Sequence, residues 1–297
     1  MSGRPIRILV TGREGQVVNS LLDSVRRRHP DIEIMPLGRP WLDLQQTDMI
    51  YSRIEAARPD AVVSAAAYTA VDLAESEPDK AERVNGFAPG EIGRAARALG
   101  VPVVHLSTDY VFDGRKPHPY RESDPVAPLG VYGRTKLAGE RMLAAMNDNH
   151  AILRTAWVYS PFGKNFVKTM LRLGLERDRI SVVSDQIGNP TSALDIAETI
   201  IQVTRNLLAD DDARLRGVFH MTGEGEASWA EFAQEIFSVW RKMNGRVAEV
   251  EPIPTSAYPT PAARPANSRL DCARLADVHR IRMPHWRESL DEVMRAF

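Results

Sequence analysis

At 297 residues the chain is long enough to bury its own core, and its single cysteine, Cys272, excludes an intramolecular disulfide and a thiolate zinc cluster. Lys and Arg total 38 against 39 acidic residues, a net charge of −1 that supplies no field for holding nucleic acid or an anionic membrane. No apolar run approaches the ~18 residues needed to span a bilayer, and Met1 to Pro5 leads into a short apolar strand without a small-residue cleavage site, so the expected location is the cytoplasm.

Short β-branched runs alternate with longer amphipathic segments through the first half, the pattern of βαβ units feeding a parallel sheet. Ile6 to Val10 is read as the first strand, followed by a helix over Gln16 to Arg28 whose apolar stripe is Val17, Val18, Leu21, Leu22 and Val25. The basic run Arg26, Arg27, Arg28 and His29 suits the C-terminal end of that helix. Strands are expected at Ile32 to Leu37, Ala61 to Ser64, Val103 to Leu106 and Ala151 to Leu153, with Ile180 to Val183 as a sixth. Helices are expected at Met49 to Ala57, within Pro78 to Leu99, and at Val131 to Met146. Beyond about residue 160 the pattern loosens, with helices at Asn165 to Glu176, Asp195 to Leu207 and Ser228 to Met243. The proline-dense residues 252–265 predict an ordered loop crossing the surface, and Asp210 to Asp212 a solvated turn. The expected fold is α/β, a Rossmann-type doubly wound parallel sheet with a smaller, interleaved C-terminal substrate lobe. Residues 1–160 plus about 191–221 would form the dinucleotide-binding domain, and about 161–190 with 222–297 the lobe.

The first strand runs into Thr11-Gly12-Arg13-Glu14-Gly15-Gln16-Val17. Gly12 permits a tight turn, Gly15 lets the backbone approach a pyrophosphate, and the helix that follows presents free N–H groups and its positive end. Val18 stands where a third glycine is usual. At the end of the second strand, where an acidic residue would bind an adenosine 2′-hydroxyl, the chain has Gly38-Arg39. That arginine favours the 2′-phosphate of NADPH over NADH, although a surface arginine needs no such role. Asp43, beside Leu44, could accept from the adenine amine.

Tyr132 and Lys136 stand four apart, so one helical turn puts both on one face. A phenol with a pKa near ~10 needs a neighbouring ammonium to exchange protons at neutral pH, and Lys136 could supply it while also holding ribose hydroxyls. Thr108 closes the fourth strand, at the carboxyl edge where open α/β sheets place their sites, and could donate to a substrate carbonyl. The seven histidines show no metal-ligand spacing, so no catalytic metal is indicated.

Ser107-Thr108-Asp109-Tyr110-Val111-Phe112 and Val131-Tyr132-Gly133-Arg134-Thr135-Lys136-Leu137-Ala138-Gly139-Glu140 resemble the dTDP-4-dehydrorhamnose reductase family of extended short-chain dehydrogenases/reductases. Ala65 to Asp72, Ala74 to Pro78, Arg154 to Tyr159, Pro254 to Pro259 and Arg264 to Leu270 are similar to the family's other segments, so the resemblance spans residues 6 to about 275. It implies reduction of the C4 ketone of dTDP-4-dehydro-6-deoxy-L-mannose to dTDP-L-rhamnose, with Tyr132 as proton donor, Lys136 lowering its pKa and Thr108 orienting the carbonyl. Gly12, Gly15, Gln16, Val17, Asp43, Leu44, Ala67, Tyr68 and Thr69 would line the cofactor, NADPH or NADH. Asp109 would bind a sugar hydroxyl, and Trp157 would offer a flat face to the hexose or else simply fill the core. Arg264 and Asn267 would face the nucleotide diphosphate, or the arginine would brace its loop.

Some members of that family hold magnesium at a subunit interface through glutamates, but the matching positions here are Ser20 and Leu194. The resemblance therefore does not carry the metal over, and it leaves a homodimer compatible rather than required. Two rival readings remain open: another nucleotide 4-ketosugar reductase, and a non-catalytic regulatory subunit of the methionine adenosyltransferase type.

Overall fold

The computed structural model describes residues 4–243 and 245–297. Met1 to Gly3, part of the leader reading above, lie outside the described residues. In the first half β1 (Ile6–Thr11), α1 (Gln16–Arg28), β2 (Ile32–Leu37), α2 (Thr47–Ala57) and β3 (Ala61–Ser64) follow the expected order. Short helices α3 (Val71–Ala74) and α4 (Pro78–Ala81) precede a π-turn at Glu82–Phe87 and α5 (Ala88–Leu99). Next come β4 (Val103–Thr108), α6 (Val131–Met146), β5 (His150–Thr155), β6 (Val158–Tyr159), α7 (Phe166–Glu176), β7 (Arg179–Val183), β8 (Ile187–Gly188), β9 (Thr191–Ser192) and α8 (Ala193–Ala209). The chain ends with β10 (Gly217–His220), β11 (Ala227–Ser228), α9 (Trp229–Met243), β12 (Glu249–Ile253), α10 (Ala273–His279) and α11 (Trp286–Met294).

The central sheet has six strands in the order β10-β5-β4-β3-β1-β2, and its pairings are parallel. Alternation along β1 shows why both faces need covering. Ile8 and Val10 pack with α1 and α8 residues such as Leu21 and Ile200, while Leu9 points to the other face with Ile50, Ile92 and Leu143. Strands β3, β4 and β5 are buried throughout, which explains their near-continuous apolar runs. A third core, with Phe232, Ile236, Trp286 and Leu290 at its centre, lies apart from the two faces of the central sheet.

Two expectations change. Ile180 to Val183 is a strand, but it lies outside the central sheet and pairs in parallel with β12. The sixth central strand is β10, a four-residue Gly-Val-Phe-His run too short for pattern reading. The proline-dense segment is likewise not loop throughout. Its first two residues, Pro252 and Ile253, pair with Val182 and Val183, as a two-stranded ribbon allows because a proline there leaves one edge free. Near the C-terminus, Leu275 and Met283 join the sheet-side core rather than that of the lobe.

Candidate active site

The strand order reverses between β1 and β3, and at the carboxyl ends of these strands opens a cleft of 680 Å³ lined by Gly12, Arg13, Gly38, Arg39, Asp43, Leu44, Ala67 and Tyr68 among others. Gly12 sits at φ +104°, a backbone state that side-chain-bearing residues rarely adopt. Val18, where a third glycine is usual, is 2% exposed and packs in the sheet-side core. Gly15 caps α1 with no side-chain acceptor, and the first turn holds no acidic residue. The first-turn N–H groups are thus left for an anion. Cleft size, the uncapped helix end and the switch point together fit a dinucleotide.

The expected cofactor residues fall into three groups. Gly12, Asp43, Leu44, Ala67 and Tyr68 line the cleft, with Leu44 buried, whereas Gly15 caps α1 and Val17, in its first turn, packs against the core. Arg39 stands exposed at the rim, joined by Arg13, which the sequence reading did not single out. An added Cβ on Gly38 would lie 3.1 Å from Arg13 Cγ and 3.2 Å from the Gly12 backbone, so a side chain there fits only if those neighbours give by a few tenths of an ångström. Thr69 is exposed beside Tyr68. The Gln16 side chain is engaged within the protein: its amide donates to Val158 O and accepts from Ser160 Oγ (2.9 Å) and Asn165 Nδ2 (3.0 Å), tying α1 to the segment 158–165.

Thr108 ends β4, and Tyr132 and Lys136 lie in the first two turns of α6. A Cβ on Gly133 would collide with the Tyr110 carbonyl oxygen, so glycine is required where α6 crosses the turn after β4. The Glu75 carboxylate accepts from Val131 N at 2.7 Å, capping α6 from outside the helix. The Tyr132 ring meets Tyr110 edge-on at 5.6 Å.

Packed surroundings push the Tyr132 phenol up to about 12, with the Thr108 hydroxyl pulling it back and Asp109 adding to the rise. This differs from the expected lowering by Lys136. Lys136 is 3% exposed, and burial brings its own pKa down to about 8, with Glu140 one turn later opposing the fall. Its ammonium donates to Leu106 O at 2.6 Å and stands 3.5 Å from His105 Nε2. It is therefore held behind the site by the β4 backbone.

The sequence also gave no warning of the charge beneath Lys136. Glu140 accepts from Arg154 Nε (2.9 Å) and Nη2 (2.7 Å) and from Ser107 Oγ (2.5 Å), with both partners of the ion pair about 5% exposed or less. Asn85, in the π-turn, accepts from Tyr68 N and donates to Tyr68 O and Thr135 Oγ1, locking the cleft wall to α6. Only the i, i+4 spacing of Lys136 and Glu140 was available as a signal, and spacing does not disclose burial.

On the substrate side, Asp109 is buried beside Thr108, and its carboxyl is pushed up to about 7 by burial. Trp157 adopts φ +47°, a strained state for a tryptophan, and stacks on Trp229 at 3.6 Å. Gly188 lies so close to that indole that its Cβ would sit 2.5 Å from Cε2. Arg264 and Asn267 are both engaged within the protein, Arg264 through two of its five N–H donors and Asn267 through its whole amide. Arg264 donates to Asp72 Oδ2 (2.8 Å) and Ala262 O (3.1 Å), which braces the loop. Asn267 donates to Lys116 O (2.5 Å) and His118 O (3.0 Å) and accepts from Arg269, so its amide is spent within the backbone.

Ser20 is buried with its hydroxyl donated to Gln16 O at 2.9 Å, and Leu194 packs against the lobe core. Among the described residues no group of three His, Cys, Asp or Glu side chains could hold a metal, and no helix is long and apolar enough to cross a membrane.

A parallel Rossmann-type sheet, a glycine turn at its switch point and a Tyr-x-x-x-Lys helix beside a threonine define a nicotinamide-dependent oxidoreductase of the extended short-chain class. The family profile described as RmlD substrate binding domain matches residues 6–297. The dTDP-4-dehydrorhamnose reductase of Sinorhizobium fredii is 52% identical over 284 residues, 96% of this chain and 95% of that one. The enzyme of the same name from Burkholderia thailandensis is 43% identical over 296 residues, 98% of each. The crystal structure of dTDP-4-dehydrorhamnose reductase from Bacillus anthracis in complex with NADP superposes with a TM-score of 0.91 at 34% identity, covering 99% of this chain and 100% of that one. The chain belongs to the dTDP-4-dehydrorhamnose reductase family.

Proposed function

We propose that this chain reduces the C4 ketone of dTDP-4-dehydro-6-deoxy-L-mannose to dTDP-L-rhamnose, with NADPH preferred and NADH accepted, in the cytoplasm. What supports the reading is the Thr108 hydroxyl beside the Tyr132 phenol at the end of β4, with Lys136 one helical turn along α6, in a chain whose residues 6–297 match this family and carry a dinucleotide-sized cleft. The relatives' names favour a reductase over a regulatory subunit.

Bound NADPH would supply the hydride to the sugar's C4. The α1 N-terminus with Gly12, Gly15, Gln16 and Val17 would hold the pyrophosphate, and Asp43, Leu44, Ala67, Tyr68 and Thr69 the adenosine side, with Arg39 and Arg13 on the 2′-phosphate. Tyr132 would give its proton to the oxygen that gains charge at C4. A phenol pushed up to about 12 is fully protonated at neutral pH and so is always loaded for that step. Lys136, an ammonium at pH 7, would steady the phenolate left behind, and Thr108 would donate to the same oxygen. Asp109 and Trp157 would contact the sugar, while Arg264 and Asn267 act through the loop they brace. We read residues 1–160 with about 191–221 as the cofactor domain, joined on its core by the α10 segment around Leu275 to Met283, and the remainder as the substrate lobe. All three catalytic side chains come from one chain, so a homodimer would leave each site whole.

The test mixes purified protein with NADPH and enzymatically prepared dTDP-4-dehydro-L-rhamnose and follows the nicotinamide absorbance. Rapid oxidation yielding dTDP-L-rhamnose is expected, with the rate lowered at least about 100-fold by Tyr132→Phe. Bound NADPH that is never oxidised would overturn the substrate assignment.

A further inference from the structure

Thr108 has one hydroxyl proton, and the structure uses it. Its Oγ1 donates to Asp109 Oδ1 at 2.9 Å and accepts from Tyr110 N at 3.2 Å, the latter capping the short turn over Asp109–Val111. A hydroxyl that gives its proton to a neighbouring carboxylate has none left for a substrate carbonyl. The Tyr110 N–H keeps Oγ1 beside Asp109, so moving the proton between them needs no movement of the heavy atoms.

Asp109 is the group able to redistribute it. The side chain is 2% exposed, and its second oxygen, Oδ2, is buried without a hydrogen-bond partner among the described residues. A carboxylate in that position carries an unsatisfied, desolvated oxygen, which favours the neutral acid. Facing it are the Tyr132 phenol from α6, the Ser268 hydroxyl from the segment after β12 and the Tyr110 phenol from its own turn. The Arg264–Asp72 pair lies on the side of Tyr110. Burial pushes the Asp109 carboxyl up to about 7, and the Thr108 and Ser268 hydroxyls and neighbouring backbone groups draw it back.

We propose that Asp109 is a positioning residue that decides which way Thr108 points its only proton: the neutral acid donates to Thr108 and frees that proton for the substrate ketone, and the carboxylate captures it. Donor and acceptor exchange across the 2.9 Å bond, and the proton lost on ionisation goes to solvent. No bond to carbon changes. This rests on the proposed reductase reading but assigns Asp109 a role separate from contact with a sugar hydroxyl.

The consequence is a pH dependence that belongs to Asp109. With the Asp109 carboxyl pushed up to about 7, the competent neutral form is expected to fall from about nine-tenths at pH 6 to about one-tenth at pH 8. Neither Asp109→Asn nor Asp109→Ala titrates there. With saturating NADPH and dTDP-4-dehydro-L-rhamnose, the ratio of each variant's kcat to the wild-type kcat should therefore rise about tenfold between pH 6 and pH 8, whatever each does to KM. A ratio constant across that range overturns the proposal. A second measurement needs no substrate: carbon-13 NMR of the Asp109 carboxyl in the full chain, with and without Thr108→Val. Loss of the hydroxyl donor should raise the Asp109 midpoint, and an unmoved midpoint also overturns the proposal. A raised midpoint in a wild-type protein that leaves the sugar unreduced would refute the substrate reading alone.

Discussion

Lys136→Met separates the stability of this protein from its chemistry. The ammonium is 3% exposed, and its pKa falls from 10.5 to about 8, chiefly through burial. Such a fall corresponds to about 3 kcal/mol of destabilisation when the lysine is charged. The sign follows from proton counting. Between pH 8 and 10.5 the unfolded chain holds a proton that the folded chain has released, so wild-type stability rises with pH across that window and carries the full penalty below it. Methionine fills similar volume without charge, but it leaves the Leu106 carbonyl without its 2.6 Å donor, at about 1–3 kcal/mol. At pH 7 the variant should therefore be inactive yet as stable as the wild type, or more stable by about 1 kcal/mol. Urea unfolding of both proteins without cofactor, at pH 7 and pH 10, measures the effect. Moving to pH 10 should shift the stability difference by about 2–3 kcal/mol in favour of the wild type. A difference that stays constant between the two pH values would refute a strained, buried ammonium.

Three further perturbations probe the parts around it. Arg39→Ala should weaken NADPH by about tenfold or more, and the double change with Arg13→Ala by more again, while NADH binding moves less than about twofold; nicotinamide fluorescence titrations giving equal losses for the two cofactors would remove the 2′-phosphate role. Gly133→Ala places a methyl group against the Tyr110 carbonyl and must displace the start of α6, so kcat should drop by about 10- to 100-fold with NADPH affinity little altered; an unchanged kcat would show that the crossing has slack. Glu75→Ala removes the carboxylate that caps Val131 N, and should cost about 1 kcal/mol in unfolding midpoint together with a few-fold loss of kcat; stability lost without any rate change would make Glu75 a purely structural cap.

The features legible in the sequence are those whose signal is local. The β1–turn–α1 unit reads clearly because a strand, two glycines and a helical stripe are contiguous, and Tyr132 with Lys136 because one helical turn puts them together. β10 escaped reading because four residues with one histidine carry too little periodicity, and because its place beside β5 depends on a long excursion through the lobe. The β7–β12 ribbon was half visible for a related reason: pairing between residues 70 apart leaves no trace in either segment alone.

The site shows the same division more sharply, because the chemistry of its residues depends on what surrounds them rather than on what they are. Read alone, Tyr132 and Lys136 suggest a phenol made acidic by a nearby ammonium. In the fold, both are desolvated, so the phenol rises to about 12 and the ammonium falls to about 8, each moving away from its charged form. The buried Glu140–Arg154 pair keeps a negative charge one turn from Lys136 and so limits that fall. Asn267 shows the converse, since a polar residue in a family-like motif invites a ligand role, yet its amide is committed to Lys116, His118 and Arg269. Arg264 is tied to Asp72 and the Ala262 carbonyl through two of its five donors. The segment that Arg264 and Asn267 brace also carries Ser268, whose hydroxyl lies beside Asp109.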